Sequence, residues 1–198
     1  MNRLYLTMLI ASFVGVGSNT EAHAAGLDEG GRLPAFQFDD IHGRIVDTSQ
    51  YSDWIQVYCF ADRNSSSELL DWMSEAGIEA MTQYPDERFA YLGFADVTMV
   101  PDVFRHLAVT ATTQMEQVAT AELEASFAER GLVLDPNQTA FHLVADWDGV
   151  WLETFQIENA EVFRCWTVYQ GHVVSSYQGN MPDLTQRYLL DVVRILEL

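Results

Sequence analysis

The chain has no lysine, only two cysteines, and no Cys-x-x-Cys pair. It also lacks any apolar run long enough to cross a bilayer comfortably. Each shortage excludes something. All ten basic residues are arginines, set against 29 acids, for a formal charge of −19. Such a surface repels nucleic acid and anionic lipid, so neither is an expected partner. The acids are spread along the chain rather than run together, and solubility accounts for them without a dedicated cation site. Asp146-x-Asp148-Gly149 has part of a calcium-loop pattern but lacks its later ligands, and reads as a polar turn. His42, His106, His142 and His172 do not share metal-ligand spacing, and no metal or other cofactor is expected. His142 lies in an apolar stretch and reads as a core histidine.

What is present points to export and to one domain. Met1-Asn2-Arg3 precedes an apolar run from Leu4 to Val16, and Ala22-His23-Ala24 follows before Ala25. That is the order of a secretory signal peptide, residues 1–24, with a soluble periplasmic or secreted protein beginning near Ala25. The remaining residues, 25–198, contain no linker or repeat. Hydrophobic content of 48% in 198 residues is ample for a single core. In an exported protein a bond between Cys59 and Cys165 is permitted, and buried unpaired thiols are also common.

The pattern of apolar residues gives the elements. Residues 33–38 and 44–47 form an N-terminal hairpin across Asp39–Gly43, and Trp54–Ala61 reads as a strand covered on both faces. Ser65-x-x-Glu68 has the form of a capping box, opening a helix that Gly77 breaks or bends before it resumes to Tyr84. Phe89–Val97 is a further buried strand. Pro101–Arg130 reads as two helices separated near 110–113, ending at Gly131. Thr139–Ala145 and Val150–Phe155 read as strands joined through Asp146–Gly149. Val162–Tyr169 and His172–Tyr177 form a hairpin through Gln170-Gly171, and Pro182 opens a terminal amphipathic helix. Trp147, Trp151, Phe155 and Trp166 form a rich aromatic set, read mainly as core; Trp147 and Trp151, if exposed, mark a protein-binding patch. The sum is an α/β sandwich with a mixed sheet.

Three stretches carry a family resemblance: Gly31-Arg-Leu-Pro-Ala-Phe-Gln-Phe-Asp-Asp-Ile-His-Gly43, Val57-Tyr-Cys-Phe-Ala61 and Cys165-Trp-Thr-Val-Tyr-Gln-Gly171. In order and spacing they resemble the redoxin group of thioredoxin-like proteins over about residues 31–198. Within that group the chain is most similar to small periplasmic YtfJ-like proteins, which lack the redox cysteine pair and place a polar run where Arg63-Asn-Ser-Ser66 stands. The resemblance implies a thioredoxin-like three-layer sandwich with a mixed central sheet and an N-terminal hairpin. By position the two redox cysteines would fall at Asn64 and Ser67, and neither can cycle through a disulfide. The proline that precedes the later strand in active members would fall near Val162, and none lies between Asn137 and Met181.

Three functions remain open at this level. The first is a redox-inactive, exported domain acting as a binding or accessory protein. The second is an unconventional thiol-disulfide oxidoreductase using Cys59 or Cys165. The third is a small-anion binder at the helix N-terminus formed by Arg63, Asn64, Ser65, Ser66 and Ser67, where free amides and an arginine converge. By the resemblance, Cys59 and Cys165 lie on neighbouring antiparallel strands. A one-residue difference in register would turn them to opposite faces, and the expectation is two buried, reduced thiols.

Overall fold

The computed structural model describes residues 27–158 and 160–197; the signal-peptide reading of residues 1–24 lies outside them. Strands β1 (Gln37–Asp39) and β2 (Ile45–Asp47) make the N-terminal hairpin. A five-stranded sheet follows, in the order β5-β4-β3-β6-β7. Its members are β3 (Ile55–Ala61), β4 (Phe89–Asp96), β5 (Thr139–Asp146), β6 (Arg164–Tyr169) and β7 (His172–Gln178). The first three run parallel, and β6 and β7 are antiparallel, so the sheet is mixed. Strand β3 is central, flanked by β4 and β6, as the continuous apolar run requires.

All seven residues of β3 are buried. They alternate between two cores. Ile55, Val57, Cys59 and Ala61 face helices α1 (Ser66–Gln83) and α4 (Leu184–Leu196), together with the end of α2 (Arg105–Glu129). Tyr58 and Phe60 face the hairpin and the short helix α3 (Val150–Thr154). The one polar residue of the strand, Gln56, is satisfied: its Nε2 donates to the Tyr51 carbonyl at 2.9 Å, and Tyr58 donates to its Oε1 at 2.5 Å. The third layer is thus a hairpin and a five-residue helix rather than a long helix.

Four local readings are corrected. The stretch 150–155 is not a strand but the helix Val150–Thr154 followed by a turn at Phe155, because Asp146 accepts hydrogen bonds from Trp151 N at 3.0 Å and Leu152 N at 2.9 Å, and Gly149 takes a left-handed φ of 74°. Residues 105–129 are one helix, not two. Thr110 and Thr112 donate to the carbonyls four residues back at 2.9 and 2.8 Å, which satisfies both hydroxyls inside the helix. Gly77 does not interrupt α1. It lets strand β4 approach, since a Cβ there would stand 3.2 Å from the Tyr91 hydroxyl oxygen. Ser65 does not cap α1 through its side chain; the residue that does is described below.

The turn joining β6 and β7 is as read from the sequence: Gln170 and Gly171 both have positive φ, 50° and 74°, the geometry of a two-residue hairpin. A buried network then ties the terminal helix to the sheet. Ser175 donates to the Tyr177 hydroxyl at 2.6 Å, and Tyr177 donates to Asp191 of α4 at 2.6 Å. Just beyond β7, Gly179 is held against a fully buried ring, and a Cβ there would lie 2.7 Å from Phe163. Gly179→Ala therefore overpacks the core and should cost about 1–3 kcal/mol of unfolding free energy, read as a lower urea midpoint at unchanged slope.

Candidate functional site

The candidate site is where β3 meets α1, at the carboxyl end of the parallel strands. The chain leaves the sheet at Ala61, turns through residues 62–65 and enters α1. Asp62 organises the turn. Its Oδ1 accepts from Asn64 N at 2.7 Å and Ser65 N at 2.9 Å, and its carbonyl accepts from Ser66 N at 3.0 Å. The helical hydrogen bonding thus begins from Asp62, three residues before Ser65 of the expected capping box, and Asp62 is the effective cap. Partial burial opposes its ionisation, but the hydrogen bonds from Ser65 and Asn64 outweigh that and hold its pKa below the usual carboxylate value.

Each residue of the sequence-derived site can now be placed. Asn64 donates its side-chain amide back to Asp62 Oδ2 at 3.1 Å. Ser65 is buried and donates through Oγ to the Ala160 carbonyl at 2.6 Å. Ser66 donates to the Arg63 carbonyl at 3.2 Å. Arg63 and Ser67 are exposed, and Arg63 has no ion pair among the described residues. The amides of Asn64 and Ser65 already hold the carboxylate of Asp62, and an anion bound at those two would have to displace it. The loop before β6 closes over the turn, with Asp62 N donating to Ala160 O at 3.3 Å.

The cysteines lie outside this turn. The register opposes Cys59 directly to Cys165, with 4.1 Å between Cα atoms, and the two sulfurs are bonded. The expectation of two reduced thiols is therefore corrected. Directly opposed residues of an antiparallel pair present their Cβ atoms on the same face. Both residues are 0% exposed, on the α1–α4 side of the sheet. No cysteine is left free. Neither sulfur of this bond is exposed at the surface.

The aromatic set divides. Phe155 and Trp166 are buried, and Trp151 packs half-buried against Phe36, with ring centroids 5.0 Å apart. Trp147 is half-buried under the Arg105 guanidinium, 5.2 Å from the ring centroid. Trp147 and Trp151 do not form a shared exposed patch.

A second polar cluster, unforeseen in the sequence, ties the hairpin to β5. Asp40, with a fully buried side chain, accepts from Arg44 Nε at 2.6 Å. His142 Nε2 lies 2.7 Å from the Tyr51 hydroxyl, while its buried Nδ1 has no hydrogen-bond partner and stands 3.9 Å from Asp40. His42 pairs with Glu116 at 2.7 Å. No group among the described residues has the geometry of a metal site.

No family model matches the chain, and no curated protein matches it. Solved structures do. Peroxidoxin BcpB from Mycobacterium tuberculosis is similar with a TM-score of 0.59 at 12% identity, covering 86% of this chain and 99% of its own. A protein assigned as the thiol:disulfide interchange protein DsbE of Chlorobium tepidum has a TM-score of 0.56 at 13% identity, with the same coverages of 86% and 99%. A SCO1/SenC family lipoprotein from Bacillus anthracis has a TM-score of 0.51 at 14% identity, covering 83% of this chain and 95% of its own.

Asp62→Ala should destabilise the fold by about 1 kcal/mol through loss of the cap, whereas Ser67→Ala should be close to neutral in the same denaturant titration. Burial and the charge of Arg44 lower the His142 pKa, against the pull of Asp40 and Glu116. The unfolded chain then binds this proton more readily than the folded one. Stability should fall as pH drops from about 6.5 towards the folded value, and His142→Asn should flatten that part of the profile.

At these identities the likeness establishes architecture alone, and the architecture of this chain is the thioredoxin-like fold.

Proposed function

We propose that the protein is an exported thioredoxin-like domain without thiol chemistry of its own, acting as a binding or accessory protein. One observation carries this reading. Both cysteines are bonded to each other at zero exposure inside the sheet, while the turn at which redoxins hold reactive thiols carries Asn64 and Ser67. A reactive cysteine needs an accessible sulfur and a setting that favours the thiolate. Cys59 and Cys165 lack the first. The turn has the second, at a helix N-terminus, but uses it to hold Asp62.

Export is supported by the same bond, which persists in oxidising compartments and is rare in the cytosol, and by the signal-like order of residues 1–24. Among the described residues no helix is long and apolar enough to cross a membrane. The finer kinship to YtfJ-like proteins rests on Arg63-Asn-Ser-Ser66 and belongs to this proposal.

The test is chemical. Intact-mass measurement of exported protein should show a two-dalton deficit that links the peptides of Cys59 and Cys165. Folded protein should show no insulin-reductase or peroxidase turnover, and its thiols should label only after reduction under denaturing conditions. Turnover that vanishes in Cys59→Ser would overturn the reading. Closing a loop across 106 residues stabilises by about 4–5 kcal/mol in the chain-entropy account. The Cys59→Ala/Cys165→Ala double variant should therefore melt well below the parent.

A further inference from the structure

The polar cluster beneath the hairpin serves neither the β3–α1 turn nor the cystine. It lies on the face of the sheet opposite Cys59, where the ring of His142 packs 6.3 Å from that of Phe38 and 5.7 Å from that of Tyr51. Charged and titratable groups reach His142 from three elements. The turn between β1 and β2 brings Asp40, Arg44 and His42. The 3₁₀ turn Thr48–Tyr51 brings the Tyr51 hydroxyl, and α2 brings Glu116, the partner of His42.

The cluster selects one tautomer of the neutral ring. Asp40 accepts from Arg44 Nε at 2.6 Å and from the backbone amides of His42 and Arg44 at 2.9 Å each, which holds it as a carboxylate. That charge stands 3.9 Å from His142 Nδ1 and favours a hydrogen on that nitrogen over a lone pair. Nε2 is then the acceptor, and the Tyr51 hydroxyl donates to it across 2.7 Å. No other hydrogen bond joins this hydroxyl to the described residues.

A proton on His142 reverses the contact. Both nitrogens of the imidazolium are donors. Nε2–H then faces the hydroxyl that had donated to it, and the Tyr51 hydrogen, on a buried side chain, loses its acceptor. Burial and Arg44 oppose the cation, while Asp40 and Glu116 favour it. Proton uptake costs least when the segment over the ring draws back and admits water. That segment is lightly held. The hairpin is a two-stranded sheet of its own, and its turn makes one backbone hydrogen bond to β5, from Ile41 N to Leu143 O at 2.8 Å.

We infer that His142 is an acid-sensitive latch: once protonated it gives up Tyr51 and loosens the segment from Asp40 to Tyr51 from β5, while the rest of the sheet holds. The response to acid is then local, on the hairpin face, and it does not depend on how the cysteines behave.

Amide hydrogen exchange of the exported protein, expressed as protection relative to the intrinsic rate, tests this between about pH 7.5 and about pH 5, a range that spans histidine titration. Protection at Ile41 should fall by about threefold or more in acid, and protection in β6 should change by less than about 1.5-fold. His142→Gln should abolish the fall, and His42→Gln should keep it. Tyr51→Phe lacks the hydroxyl and should show the acid level of protection already at neutral pH. In the parent, the midpoint of the fall should coincide with titration of the His142 ring followed in ¹H–¹³C spectra; this measurement decides if a variant fails to fold. No fall at Ile41, an equal fall across β6 and β7, or a midpoint apart from the ring titration would each overturn the inference. So would a fall that survives His142→Gln or Tyr51→Phe, or one that vanishes in His42→Gln.

Discussion

The register of β3 against its two neighbours is the constraint from which the rest follows. Cys59 stands opposite Gly93 of β4 on one side and Cys165 of β6 on the other. That single alignment sends Ile55, Val57, Cys59 and Ala61 to the helical core and Tyr58 and Phe60 to the hairpin core. A shift by one residue would exchange the two sets and part the sulfurs. The cystine therefore locks the alignment on which both cores depend, and it does so between strands far apart in sequence. Its place in the middle of the sheet leaves neither sulfur exposed, so the packing that it secures also surrounds it.

The turn after β3 keeps the strand–helix geometry of the fold and carries no cysteine. A helix N-terminus offers unpaired amides and a positive potential. In this chain two such amides, those of Asn64 and Ser65, are taken by the carboxylate of Asp62, four residues before the start of α1, and the serine expected to cap the helix instead reaches across to the loop before β6. The positive end of the helix stabilises Asp62 where a thiolate would otherwise benefit. Structure is served by the same electrostatics that could serve catalysis, and the two uses compete for the same N–H groups.

Legibility followed range. Patterns set by neighbours in sequence were readable: the apolar run of β3, the helical spacing of α1 and α4, the positive-φ pair Gln170-Gly171, and the stop at Gly131. Where a short local pattern competed with a side-chain hydrogen bond, the pattern misled. Val150–Phe155 alternates well enough for a strand, yet the carboxylate of Asp146 starts a helix there. Thr110 and Thr112 suggested a break, yet each hydroxyl found a carbonyl four residues back. Ser65 and Glu68 have capping-box spacing, but Asp62 reaches the amides first.

The sequence by itself determined the class of the fold, the centrality of β3, the lack of cysteine at the strand–helix turn and the acidity of the surface, because composition and local periodicity depend on adjacent residues. Only the tertiary structure decided that Cys59 meets Cys165 and that His142 stands between Tyr51 and Asp40. Each of those pairs is separated by tens of residues or more along the chain, and their meeting depends on strand register and helix docking. Both come from the packing of the whole core, which no local pattern encodes.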